Sequence, residues 1–235
     1  MPTLILIHSP LIPAWSWNEV ADLAAREGFA ARTVNLTEVA LDPLKSHLPM
    51  LPRLADAVSL AARGCAAPIL VAHSAGGALV PRAATGAYDP QGIVFVDAPI
   101  PRPGKSWFET APAFEPRVRA ATRDRIAPRW PDWFAPGVVQ TLIPERALRE
   151  RFIADCPRLP LSYFTEPAPH AELPDVPTAY LRLSEAYESD ARDAEAKGWV
   201  TRRASLDHVA MITQPNAVAG LLIEIVAALP VPLSV

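Results

Sequence analysis

Apolar residues fall along this chain in two rhythms that alternate from the first residues onward. Short runs with almost no polar residue occur at 4–8, 68–72 and 92–96, as in Leu4-Ile5-Leu6-Ile7 and Ile93-Val94-Phe95-Val96. Apolar runs of this length predict strands buried on both faces, as in a parallel sheet covered by helices. Between them apolar residues recur at helical spacing. Val20, Leu23 and Ala24 mark a helix over 17–27 that ends at Gly28, and an Ala/Leu-rich helix over 51–63 stops at Gly64. A glycine just past the last apolar position is a helix C-terminal signal. Residues 29–35 alternate and predict a strand, and 76–84 predict a helix. Strand following helix in this order implies a mostly parallel, twisted sheet with right-handed crossovers and helices on both faces, an α/β fold.

The rhythm breaks near Pro99 and resumes near Pro177. The chain has 27 prolines against 10 glycines, and many of the prolines fall in this stretch. We read residues 101–174 as a helical lid inserted over the C-terminal edge of the sheet, with short helices at 115–126 and 144–152, inside one domain spanning 1–235. Regularity returns with a strand at 178–183, an acidic helix at 190–197, a strand at 199–203 and a final helix at 216–229.

Charge and composition remove several classes of function. A net charge of -3 gives no basic footprint for nucleic acid or for an anionic membrane. No apolar run reaches the roughly 18 residues of a membrane span. The N-terminus enters a strand directly, without a basic segment ahead of a cleavable apolar one, so a cytoplasmic location is expected. Cys65 and Cys156 are isolated and expected to be reduced, and neither lies near a histidine at metal-ligand spacing. The expected partner is a small-molecule substrate, with no metal and no cofactor.

The chemistry concentrates at Ala72-His73-Ser74-Ala75-Gly76-Gly77, between a predicted strand and a predicted helix. A sharp strand-to-helix turn lifts a serine above the sheet edge, and small neighbours let the backbone make that turn. The same geometry aims the Ala75 amide at the place where an oxyanion would form. The plainer alternative is that Ser74 merely caps the helix after it.

With these residues the chain resembles the α/β-hydrolase family, from its first strand to its last helix. The resemblance is carried by the turn around Ser74, by His8-Ser9-Pro10 after the first strand, and by Asp207-His208 after the last strand. It implies a trimmed version of the fold whose first strand is the family's third. It also points to the serine-nucleophile branch, where Ala14-Trp15-Ser16-Trp17 is similar to small esterases and hydroxynitrile lyases. That stretch suits ordinary helix-start packing equally well.

A serine needs a base, and the base needs an orienting acid. Of five histidines, His208 follows the last strand, where the family delivers its histidine. Two placements compete for the acid. Asp97 ends an apolar strand, where a lone charge is costly unless it has a role. Glu185 and Glu188 follow the next strand, where the family more often has its acid, and a solvated helix start explains them too. We choose Asp97. The family's second oxyanion donor is a backbone N–H two residues after the histidine, but here that residue is Pro10, which has none. The Leu11 amide or the Ser9 hydroxyl must substitute, or the site has one donor fewer. The lid carries Trp107, Phe108, Phe114, Trp130, Trp133 and Phe134. Trp107 and Trp133 are the candidates for facing substrate, although a core role within the lid fits each aromatic taken alone. Arg117, Arg119, Arg123 and Arg125 read as a solvated helix face.

These residues together imply a serine hydrolase acting on a small or medium apolar ester or related acyl compound. Two other readings keep the fold. One uses Ser74 and His208 as an acid–base pair for lyase, isomerase or cyclase chemistry, and the other is a binding protein without catalysis.

Overall fold

The computed structural model describes residues 2–85 and 89–230. Six strands form one sheet: β1 (Thr3–Ile7), β2 (Ala30–Val34), β3 (Pro68–His73), β4 (Gly92–Val96), β5 (Thr178–Arg182) and β6 (Val200–Arg203). Their order is β2-β1-β3-β4-β5-β6, and every pairing is parallel. Register brings Ile7 opposite Ala72, His73 opposite Val96, and Val96 opposite Leu181. The segments that leave the C-terminal ends of four adjacent strands therefore emerge side by side along one edge.

Side chains alternate across a strand, and here both sides are apolar. Ile5, Ile7, Leu70, Ala72, Ile93, Phe95 and Tyr180 face one core, whereas Leu4, Leu6, Val71, Val94, Val96 and Leu181 face the other. The helices ahead of the lid are α1 (Asn18–Arg26), α2 (Leu36–Ala40), α3 (Met50–Ala62) and α4 (Val80–Ala84). Buried residues of α2, α3 and α4 line the first core. Those of α1 and of the C-terminal helix Pro215–Ala227 line the second.

The predicted helix at 76–84 is split into a 3-10 turn, Ser74–Leu79, followed by α4. Close approach explains this. A Cβ on Gly76 would stand 2.9 Å from the His8 carbonyl oxygen, so the turn is pressed onto the loop after β1. The helix expected at 115–126 ends at Ala121, because Thr122 is already extended, and Asp124 and Arg125 then turn through positive φ. The helix expected at 144–152 is Arg146–Asp155, its first amides capped by the Glu145 carboxylate.

Between β4 and β5 the described chain carries short helices, 3-10 turns and isolated bridges. Its aromatics pack on one another: Trp107 lies 5.3 Å from both Trp133 and Phe164, and Phe108 stacks on Phe164 at 5.4 Å. Arg117 and Arg119 are exposed, as expected of that face, and each also braces the lid. Arg117 donates to the Trp133 carbonyl, and Arg119 lies over the Phe108 ring. No helix among the described residues is long and apolar enough to cross a membrane.

Candidate active site

Ser74 follows β3 with a φ of 53°, a left-handed conformation that side chains other than glycine avoid. The strain is held in place because the glycines after it admit a close backbone: Gly76 sits against the loop after β1, and Gly77 against Ala98 and Pro99. Ser74 does not cap the helix after it. Its Oγ lies 3.1 Å from Nε2 of His208, 134 residues away.

The other nitrogen of His208, Nδ1, is 3.1 Å from Oδ2 of Asp97. Asp97 follows β4 with a φ of 42° and is fully buried. Burying a carboxylate is costly without donors, and here several converge. The amide of Leu183 donates to Oδ1 at 2.6 Å, the amide of Ser184 lies 3.0 and 3.1 Å from the two oxygens, and the Ser184 hydroxyl donates to Oδ2 at 2.6 Å. The loop after β5 thus forms the cradle of an acid that leaves β4. Glu185 and Glu188, the competing acids, turn instead to arginines. Glu185 pairs with Arg182 at 3.0 Å, and Glu188 lies 3.1 Å from each of Arg182, Arg192 and Arg203.

The loop that carries His208 is pinned twice. The Leu206 amide donates to the Leu183 carbonyl, and Nε2 of His73 donates to the His208 carbonyl at 2.8 Å. His73 therefore points away from the serine, as the turn requires, and holds the backbone of the imidazole that faces it. Burial lowers the His73 pKa well below its ordinary value and keeps the ring neutral. The sequence carries no local sign of this contact, which spans 135 residues.

On the other side of Ser74, His8 bridges two elements. Its Nδ1 donates to the Ser9 carbonyl at 2.7 Å, and its Nε2 accepts from the Leu36 amide that opens α2 at 3.0 Å. Burial lowers its pKa from 6.5 to about 4. Next to it, the Leu11 amide donates to the Ser9 Oγ at 3.3 Å. That leaves the Ser9 hydroxyl proton to be donated elsewhere. The Ala75 amide opens the first turn of the helical segment, where amides lack an intrahelical acceptor.

Of the lid candidates, Trp107 lines a cavity of about 40 Å³ beside Ala75, together with Leu51, Ile100 and Tyr163. Trp133 lies behind it in the lid core and donates its indole N–H to the Pro128 carbonyl. Two aromatics that the sequence did not single out as partners of the site stand around His208. Trp130 is 6.0 Å from its ring, and Tyr187 stacks on it at 5.0 Å. Among the described residues, no group of three or more His, Cys, Asp or Glu side chains is placed to hold a metal ion.

Residues 4–221 match the model of the alpha/beta hydrolase family. Similar solved structures include an extracellular alpha/beta-hydrolase from a Paenibacillus species. It is 21% identical, with a TM-score of 0.73, over 95% of this chain and 98% of that one. Tomato methylketone synthase I in complex with 2-tridecanone is 17% identical, with a TM-score of 0.73, over 97% and 99%. A methylesterase from Arabidopsis is 16% identical, with a TM-score of 0.69, over 97% and 100%. No curated protein sequence matches the chain.

Proposed function

The chain belongs to the alpha/beta hydrolase family, and from that premise we propose that it is a serine hydrolase that cleaves a small apolar ester or a related acyl compound. One observation carries the reading: Ser74 Oγ, the two nitrogens of His208 and the buried Asp97 carboxylate form a continuous hydrogen-bonded line with 3.1 Å at each His208 step. In this reading Ser74 attacks the acyl carbon while His208 takes its proton at Nε2. Asp97 holds the Nδ1–H tautomer and stabilises the imidazolium. The proton then passes to the leaving alkoxide, and water releases the acyl group by the same steps.

The oxyanion is held by the Ala75 amide and, in place of the donor missing at Pro10, by the Ser9 hydroxyl. The Leu11 amide is directed to Ser9 Oγ and orients that hydroxyl. The cavity beside Ala75 is the seat for the substrate's apolar part. At about 40 Å³ it is far smaller than the roughly 150 Å³ cavity that takes up a benzene ring, which suits a short chain. Trp107 forms part of its wall, and Trp133 supports Trp107 from behind. The missing backbone donor at residue 10 favours, as a second reading, non-hydrolytic acid–base chemistry by the same Ser74 and His208.

Labelling with a fluorophosphonate, followed by hydrolysis of short-chain p-nitrophenyl esters, separates these readings. The native chain is expected to label and turn over, and Ser74→Ala to do neither. Asp97→Asn is expected to lower turnover about 10⁴-fold, with Glu188→Gln close to native. Labelling that survives Ser74→Ala defeats the assignment of the nucleophile. Labelling without ester turnover selects the second reading.

A further inference from the structure

The loop after β5 does more than cradle Asp97. It begins at Ser184, whose hydroxyl and amide hold the carboxylate, and runs through a 3-10 turn, Glu185–Tyr187, closed by the Tyr187 amide on the Ser184 carbonyl. Glu188, the next residue, is fixed by the buried Arg182 and by Arg203. The turn is therefore rigid at both ends, and it presents Tyr187 to the site. The phenol ring lies flat on the His208 imidazole, with centroids 5.0 Å apart and planes 10° from parallel. Burial keeps the phenol protonated by holding its pKa above the ordinary value.

We propose that Tyr187 is a positioning residue for the Ser74–His208 pair. The stacked ring fixes the imidazole plane, with Nδ1 on Asp97 and Nε2 facing Ser74 Oγ. A serine hydroxyl has a single proton. With the imidazole held in that plane, the proton meets His208 Nε2, the orientation from which attack begins. The phenol keeps its own proton throughout, and the serine proton passes to His208. One loop thus serves two members of the line, Asp97 through Ser184 and His208 through Tyr187.

The proposal rests on the assignment of Ser74 and His208, and the experiment distinguishes failure of the two. Rates of fluorophosphonate labelling are measured on the full chain for the native protein, Ser74→Ala, Tyr187→Phe and Tyr187→Leu, with ester kcat and KM alongside. Loss of labelling in Ser74→Ala establishes the site independently of Tyr187. Tyr187→Leu removes the stacked ring, so a drop of about tenfold in labelling rate and kcat is expected at unchanged KM. Tyr187→Phe keeps the ring and its packing and should restore both rates to near native. In Tyr187→Leu the downfield proton resonance of the His208–Asp97 hydrogen bond should persist, showing that the loop has not collapsed. Labelling of Tyr187→Leu at the native rate overturns the proposal. Tyr187→Phe as slow as Tyr187→Leu overturns it as well, since the ring would then not be what positions the imidazole. A Tyr187→Leu defect confined to KM overturns it too, since that would place the ring in substrate binding.

Discussion

At the scale of single residues, the site depends on two side chains held in left-handed backbone, Ser74 and Asp97, each following an apolar strand. Such strain persists only where neighbours over-determine it, and both sets of neighbours can be named. Gly76 and Gly77 let the Ser74 turn press on the loop after β1 and on Ala98. Leu183 and Ser184 hold the Asp97 carboxylate from the adjacent strand end. Ser184 therefore has a measurable share in the site without touching substrate. Ser184→Ala removes the 2.6 Å hydroxyl donor and leaves both amides. Turnover of a p-nitrophenyl ester is expected to fall about tenfold, the rate equivalent of one hydrogen bond, with the melting temperature lowered by only a few degrees. A native rate in that variant would mean that the backbone donors alone position the acid.

At the scale of elements, the lid is tied to the body by side chains far apart in sequence. Glu166 accepts hydrogen bonds from the amides of Met50 and Leu51, so a lid carboxylate caps the N-terminus of α3, whose own preceding residue, Pro49, gives no side-chain cap. On the opposite flank the Trp15 indole donates to Asp155 at 2.8 Å, and Arg151 lies over the Trp15 ring. Glu166→Ala leaves the α3 amides without that acceptor and is expected to destabilise the chain by about 1–2 kcal/mol. Glu166→Gln, which keeps one acceptor, should lose less. Urea denaturation of both variants checks this, and equal loss would assign the effect to charge alone. Such ties also mark the limit of what the sequence discloses. Strand ends were legible because period and glycine placement are local, and they located Ser74, Asp97 and His208 together. The contacts of His73, Ser184 and Glu166 run between segments 87 to 135 residues apart and leave no periodicity or motif behind. The helix expected at 76–84 is α-helical only from Val80, for the same reason. Its propensity is helical, but the backbone of β1 crowds it into a tighter turn.

At the scale of the molecule, two buried neutral histidines join the parts that must stay in register. His8 ties the loop after β1 to α2, and His73 ties the turn after β3 to the loop that carries His208. Burial lowers the pKa of both, that of His8 from 6.5 to about 4. In the unfolded chain they take up protons as pH falls through 6.5, whereas in the folded chain they do not until far lower pH. The unfolded state therefore binds more protons across that window, and folding stability declines as pH is lowered. Above about pH 7 both states leave these rings neutral, and the term vanishes. Each such group contributes a slope of up to about 1.4 kcal/mol per pH unit, and for His8 the total between pH 6.5 and 4 is about 3 kcal/mol. Carboxylates with lowered pKa, such as Glu109 and Glu188, give up their share only as pH falls through and below about 4.5. Asp190, whose carboxyl is raised by burial, acts in the opposite sense as pH falls, so the decline from 6.5 to 4.5 is that of the histidines. Urea midpoints are expected to be level from pH 8 to 7 and to fall steadily from 6.5 downward, with a shallower fall in His8→Gln. A level profile down to pH 5 would show that these joints are open to solvent. Because the His73 ring holds the backbone of His208 in place, activity lost at pH 5 should return in full on adjustment to pH 7 wherever unfolding is reversible.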